Sequence, residues 1–377
     1  MWVAVPDRCP GQRLATPARS PAARLLPLLV AACLLLGGTV HASVGDRLPE
    51  FQDCVELCKQ ENCYPETLEH KNNIPRIHRL LRWTCPDECD YTCQHIITAS
   101  RLGAGYPVVQ FHGKWPFQRF LGAQEPLSVI FSAGNLWAHA SGLRQLRRRV
   151  PGSYSLRRFY VGFALAGLSA WTFSIIFHTR DSRATEQLDY FAAGASVLYG
   201  LFLAVVRIFR LDRRRRSSEA ISVPSTPDSG SAIGRGGGGG GGSRSSTSSP
   251  GLLRVWMAVC LTAYACHVAY LKLVRWDYTY NMAANVAVGV VQNLLWSWFS
   301  WTRYRRERRA WAAYPGLTVA WITMAMSLEL FDFPPLWGAL DAHSLWHLGT
   351  IGPTMLWYNF LVKDSLDDIA AAPRLKE

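Results

Sequence analysis

The sequence predicts an all-α membrane protein, a seven-transmembrane helix bundle with a small disulfide-rich lumenal N-terminal segment. Three observations lead there. Seven runs are long and apolar enough to cross a bilayer, at 126–144, 159–179, 187–209, 253–274, 281–302, 311–331 and 342–362. Arginines crowd the loops between alternate runs, and six of the ten cysteines fall in one polar stretch ahead of the first run.

Taken in order, the chain opens with Arg8, Arg13, Arg19 and Arg24, then an apolar core from Leu25 to Gly37, then small residues around Val40 to Ala42. That order marks residues 1–42 as a secretory signal peptide, because the apolar core is too short for a span. Residues 43–125 then form a lumenal cysteine-rich segment. Its Cys54, Cys58, Cys63, Cys85, Cys89 and Cys93 are an even set in an oxidising compartment, which predicts three disulfides with fifteen connectivities open. A zinc cluster is the rival reading, disfavoured by C-x3-C and C-x4-C spacings where knuckles use C-x2-C. So small a segment buries little core and needs the staple.

The formal charge of +13 sits mostly on arginines between apolar runs, which points to membrane topology and away from nucleic acid. With a lumenal N-terminus, the loops at 142–158, 210–254 and 303–310 are cytosolic and hold nearly all the loop arginines. The opposite loops offer Arg180, Arg183 and Arg275. The C-terminus is then cytosolic. The first run carries Ser128, Ser132, Asn135, His139 and Ser141, so it must face other helices. Helices 1–3 occupy 126–209, a cytosolic low-complexity loop 210–252, helices 4–7 253–362, and a cytosolic tail 363–377. The loop's "GRGGGGGGGSRSSTSSP" (234–250) lacks the G-K-[ST] of a phosphate cradle. No paired broken helices or inverted repeat speak for a transporter.

Five polar residues meet at one predicted depth. Ser174 and His178, four apart, close the second run at its lumenal end. Asp189 lies in the first turn of the third, and His343 and His347 share a face in the first two turns of the seventh. Singly, each has an ordinary explanation: Asp189 suits a helix amino end, and Ser174 can bond its own helix carbonyl. Together, three imidazoles with a fourth position left for water suit a metal, most simply zinc. His267, inside the fourth run, reads as a packing or hydrogen-bonding residue. His112 could line the mouth, although Lys114, Trp115 and Pro116 beside it read as an interfacial collar. Glu329 and Asp332 are either partners of the histidines or helix-end polar groups.

The blocks "FQDCVELCKQENC" (51–63), "WTCPDECDYTC" (83–93), "QFHGKWPFQRF" (110–120), "FHTRDSRATEQLDYF" (177–191), "YNMAANVAVG" (280–289) and "LELFDFPPLWGALDAHSLWH" (328–347) carry a likeness. Through them the chain resembles the family of post-GPI attachment to proteins factor 3 and its yeast Per-one-like relatives. These lie within the CREST superfamily, alongside alkaline ceramidases and adiponectin-type receptors. The resemblance implies Ser174 and Asp189 as catalytic residues and His178, His343 and His347 as ligands of Zn2+. It implies remodelling of GPI-anchored proteins by phospholipase A2-like removal of the sn-2 acyl chain, in the endoplasmic reticulum or Golgi membrane. In the expected reaction Asp189 handles the proton of the attacking water and Ser174 donates to the developing oxyanion. The alternative is a non-catalytic receptor or escort for GPI-anchored proteins. No N-x-[ST] sequon occurs, and the 210–252 loop is longer than the family leads one to expect.

Overall fold

The computed structural model describes residues 43–212 and 249–371. The expected signal peptide, most of the 210–252 loop and residues 372–377 lie outside them. The described residues form ten α-helices: Pro49–Asn62 (α1), Arg76–Leu80 (α2), Cys85–Gly103 (α3), Pro126–Arg149 (α4), Arg157–Thr179 (α5), Arg183–Ile208 (α6), Ser249–Ala269 (α7), Tyr278–Glu307 (α8), Tyr314–Met326 (α9) and Ala342–Ala371 (α10).

Cys54 and Cys58 share a face of α1, Cys63 follows at its extended C-cap, and Cys85, Cys89 and Cys93 line one face of α3. Those faces meet as a nested ladder, Cys54–Cys93, Cys58–Cys89 and Cys63–Cys85, with Cα separations of 5.8, 5.6 and 5.7 Å. One of the fifteen connectivities is thereby singled out, and the zinc reading falls because all six sulfurs are consumed in S–S bonds. A capping box starts α3, where the Thr84 hydroxyl accepts from the Asp87 amide and the Thr84 amide donates to the Asp87 carboxylate. Phe51, Ile97 and Phe111 add a small core beside the ladder. Replacing the middle bridge by Cys58→Ala with Cys89→Ala should cost this segment about 2–4 kcal/mol. Denaturant melts of the oxidised protein and the variant measure that loss.

His112 closes this segment. Its Nε2 is 2.8 Å from Asp90 Oδ1 and its amide donates to Asp46 Oδ1 at 2.8 Å, tying the 111–114 turn to α3 and to the start of the segment. The hydrogen bond to Asp90 raises the imidazole above its ordinary 6.5, against a smaller opposing effect of burial. A raised value means the tie acts in full below 6.5 and fades as pH climbs through the folded-state value. Protection factors of α3 amides, which divide out the intrinsic base-catalysed rise in exchange, should therefore be lower at pH about 8 than at about 6, and His112→Gln should remove that pH dependence of protection.

The larger helices pack in a closed ring. In order, α4, α5, α6, α8, α9 and α10 each contact the next, α10 returns against α4, and α7 packs on α6. Close approach of α4 to its neighbours depends on two glycines. A Cβ at Gly142 would stand 2.2 Å from the Tyr358 ring of α10, and one at Gly167 of α5 would stand 2.2 Å from His139 of α4. Among the described residues, three helical stretches are long and apolar enough to cross a membrane by length and composition: Arg157–Thr179, Arg183–Ile208 and Gly251–Val274.

The remaining long helices coincide with expected runs but carry more polar residues or less helix. In α4, Ser128, Ser132, Asn135 and His139 recur at helical spacing and are all buried, so its polar stripe faces inward as expected. The sixth run, read as 311–331, holds only thirteen α-helical residues, extended by tighter 3-10 turns at Ala310–Ala313 and Ser327–Leu330. The last helix runs nine residues past the expected 362 to Ala371. Charge in the sequence suggested a stop there, but Asp364, Asp367 and Asp368 are ion-paired within the protein.

Candidate metal centre

At the end of the bundle that carries the disulfide segment, three helix termini converge. The last two turns of α5 supply Ser174 and His178. A capping box between Ser182 and Thr185 starts α6 and places Asp189 in its second turn. Reciprocal bonds between Asp341 and Ser344 start α10, with Ser344 N donating to Asp341 Oδ1 at 2.8 Å. That cap sets His343 and His347 on successive turns of one face.

The three imidazoles face one another. One ring nitrogen from each of His178, His343 and His347 lies within 4.8 Å of the others. Ring centroids are 5.1 Å apart for His178 and His343, 5.0 Å for His178 and His347, and 4.5 Å for His343 and His347. His178 and His347 are buried, whereas His343 is partly open. Nε2 of His347 and Nε2 of His343 are 3.0 Å apart. Two nitrogens at ~2.0–2.1 Å from a tetrahedral ion stand ~3.3 Å apart, so this pair is close to ligand spacing.

The outer ring nitrogens are fixed by oxygen. His178 Nδ1 lies 2.7 Å from Glu125 Oε2. His347 Nδ1 lies 2.8 Å from Ser132 Oγ, and the Ser128 carbonyl, which can only accept, also faces that ring. An N–H at Nδ1 donating outward leaves the Nε2 lone pair directed inward, the arrangement that a histidine ligand requires. Asn135 donates to the His347 carbonyl at 2.7 Å and holds α10 against α4. Ser132 Oγ continues to Ser174 Oγ at 3.0 Å. The Asp189 carboxyl interacts electrostatically with His178 and His343. The donor set, its anchored tautomers and its burial fit a zinc-type ion.

Glu125 is itself compensated. Lys114 donates to its Oε1 at 2.6 Å and also pairs with Asp181 at 2.8 Å. Burial alone would raise the Glu125 carboxyl, but the Lys114 ammonium and His178 hold it well below the usual carboxylate range. Burial likewise pushes the Lys114 ammonium down, and the Glu125 and Asp181 carboxylates more than offset that, leaving it above its ordinary value. Lys114 is thus a partner of Glu125, with its side chain 28 % exposed, and no part of an interfacial collar.

All five residues singled out from sequence come to this end of the bundle. Four others were missed as site residues: Lys114, Glu125, Ser132 and Asn135. Ser132 and Asn135 had a signal, being polar in an apolar run. Glu125, directly before Pro126, had none. Asp332 accepts from Gln110 at 3.0 Å and from Trp115 at 2.8 Å, joining the 331–341 loop to the disulfide segment. It is therefore not a partner of the histidines. His267 hydrogen-bonds Asn281 at 3.2 Å, in keeping with a packing role. The Glu329 side chain lies outside the described residues.

A helix bundle with an imidazole cage at one end defines a membrane-type protein with a candidate metal site. The chain belongs to the Per1-like family, whose model matches residues 75–365. It is 38% identical over 343 residues to the GPI-specific phospholipase A2-like PGAP3 of Xenopus laevis, covering 91% of this chain and 95% of that one. To the human protein of the same name it is 37% identical over 346 residues, covering 92% and 95%. The Protein PER1 homolog of Schizosaccharomyces pombe is 36% identical over 334 residues, covering 88% and 89%.

Because Glu125 fixes the His178 ring, Glu125→Gln should weaken metal binding by about 10–100-fold. Titration of the purified chain with Zn2+ against a competing chelator reads that change, with helical content unaltered.

Proposed function

We propose that this chain remodels GPI anchors by hydrolysing the sn-2 acyl ester of GPI-anchored proteins, at a zinc centre on the lumenal side of a seven-span bundle in the endoplasmic reticulum or Golgi membrane. The observation that carries the reading is the cage of His178, His343 and His347 beside the Ser174 hydroxyl and the Asp189 carboxyl. Relatives named GPI-specific phospholipase A2-like support the substrate class. The arginine-rich loops support the orientation, and the basic, apolar and small-residue order of residues 1–42 supports a removed signal peptide.

His178, His343 and His347 would hold the ion, which would supply Lewis acidity to an ester and a water. The chain's own groups do the rest. With His347 ligating through Nε2, its Nδ1–H can donate to Ser132 Oγ at 2.8 Å, and the Ser132 hydroxyl, 3.0 Å from Ser174 Oγ, can donate onward. Ser174 is left with its proton free to donate to the oxygen on which charge develops. Asp189, facing His178 and His343, takes the proton of the water and returns it to the leaving alkoxide. Glu125 keeps His178 in the ligating tautomer.

The test is to purify wild type and His178→Ala, then measure bound metal and fatty acid released from a GPI substrate. Wild type should carry about one ion per chain and release fatty acid, and the variant should do neither. Ser174→Ala should keep its metal and lose about 10²–10³-fold in kcat. Normal release by His178→Ala would overturn the reading. A protein that matures GPI anchors normally with Ser174 and Asp189 both replaced would be an escort.

A further inference from the structure

The end of the bundle opposite the histidines carries two kinds of arginine. Arg207 makes two 2.6 Å bonds to the buried Asp364, which Arg303 also contacts. Arg210 pairs with Asp368, Arg306 with Glu307 and Arg309 with Asp367. These guanidinium groups are neutralised within the chain.

The hairpin between α4 and α5 is different. Residues 144–158 hold six arginines and no acidic residue, a local charge of +6. Among the described residues none of the six has a carboxylate partner. Arg144 donates to Ser141, Arg157 donates to the Arg147 carbonyl, and Arg158 lies over the Phe159 ring. Arg157 Nε is buried with no hydrogen-bond partner at all. The hairpin is nonetheless held firmly, because Tyr154 donates to Asp368 at 3.0 Å and Ser155 donates to Asp212 at 2.5 Å. Neutral hydroxyls anchor the loop, so its guanidinium groups stay available.

Those groups line two clefts. One, of about 490 Å³, is bordered by Ser153, Tyr154, Ser155, Arg157 and Arg158. The other, of about 230 Å³, is bordered by Ser141, Arg144, Gln145, Arg148 and Arg149. On the flanks of α4 and α5 towards this end, Trp137 and Leu165 are exposed. A ligand that suits this surface carries a phosphate for the forked guanidinium donors and an apolar tail for the helix flanks. An acidic peptide would use the charge and ignore the apolar flank.

We infer that the α4–α5 hairpin is a binding site for anionic phospholipid headgroups of the adjoining leaflet, with Arg144, Arg148, Arg149 and Arg158 taking the phosphate. The inference rests on the bundle spanning a bilayer and is independent of the metal centre. It is tested on the full-length protein in neutral detergent by native mass spectrometry with added dioleoylphosphatidylserine, dioleoylphosphatidylcholine or inorganic phosphate. Phosphatidylserine should be retained at least about tenfold better than phosphatidylcholine, and the preference should fall with salt. Glutamine at Arg144, Arg148, Arg149 and Arg158 should bring it to the phosphatidylcholine level, while lysine at the same four positions should keep most of it. Arg306→Gln with Arg309→Gln, at guanidinium groups already paired with Glu307 and Asp367, should change nothing. Equal retention of the two lipids by wild type overturns the inference whatever the variants do. Displacement by an equal concentration of inorganic phosphate or of polyglutamate overturns it too, pointing to a free anion or an acidic protein instead.

Discussion

The architecture depends on one constraint: polar groups buried in an apolar bundle must satisfy one another. The last helix, α10, meets it twice. Near its start, His347 is engaged by Ser132 and Asn135 of α4. Near its end, Asp364 is fully buried and gathers Arg207 of α6, Arg303 of α8 and Tyr160 of α5. Seventeen residues separate His347 from Asp364, ~26 Å along a helix, so the two clusters fix α10 at both faces of the ring. A buried ion pair of this kind adds little net stability, since desolvation offsets attraction. What it adds is register, because any axial slip of α10 strands a charge. The imidazole cage inherits that register, and its rings are held to a fraction of a turn.

The same logic explains why the cage is asymmetric. His178 and His347 each have an oxygen partner on the far ring nitrogen and are closed off from solvent. His343 is the partly open member. A site with two buried rings and one partly exposed ring has a defined interior and a defined approach. The disulfide segment contributes to the locked side through Lys114, so the polar domain above the bundle is part of the site and not a lid placed over it.

Much of this was legible in the sequence, for identifiable reasons. Helical period makes Ser174 with His178, and His343 with His347, share faces whatever the tertiary fold, and run ends set their common depth. The inward stripe of α4 was readable because serines, an asparagine and a histidine in an apolar run have nowhere else to go. Glu125 was not readable, since nothing local distinguishes it from any carboxylate before a helix-starting proline. Lys114 was misread because its partners are eleven and sixty-seven positions away. The true end of α10 was hidden for the same reason: Asp364 looks like a solvated terminus until its arginines are brought from two other helices.

The nesting of the three cystine bridges has a consequence for how the segment oxidises. Free in the reduced chain, Cys54 and Cys93 are 39 residues apart, Cys58 and Cys89 are 31, and Cys63 and Cys85 are 22. Once the innermost pair joins, only five and four residues separate the next two sulfurs from that crosslink, and the step outward is shorter still. Each bridge presents the following one as a near neighbour, so closing Cys63–Cys85 shortens the loop left for Cys58–Cys89, and closing that pair shortens the loop left for Cys54–Cys93.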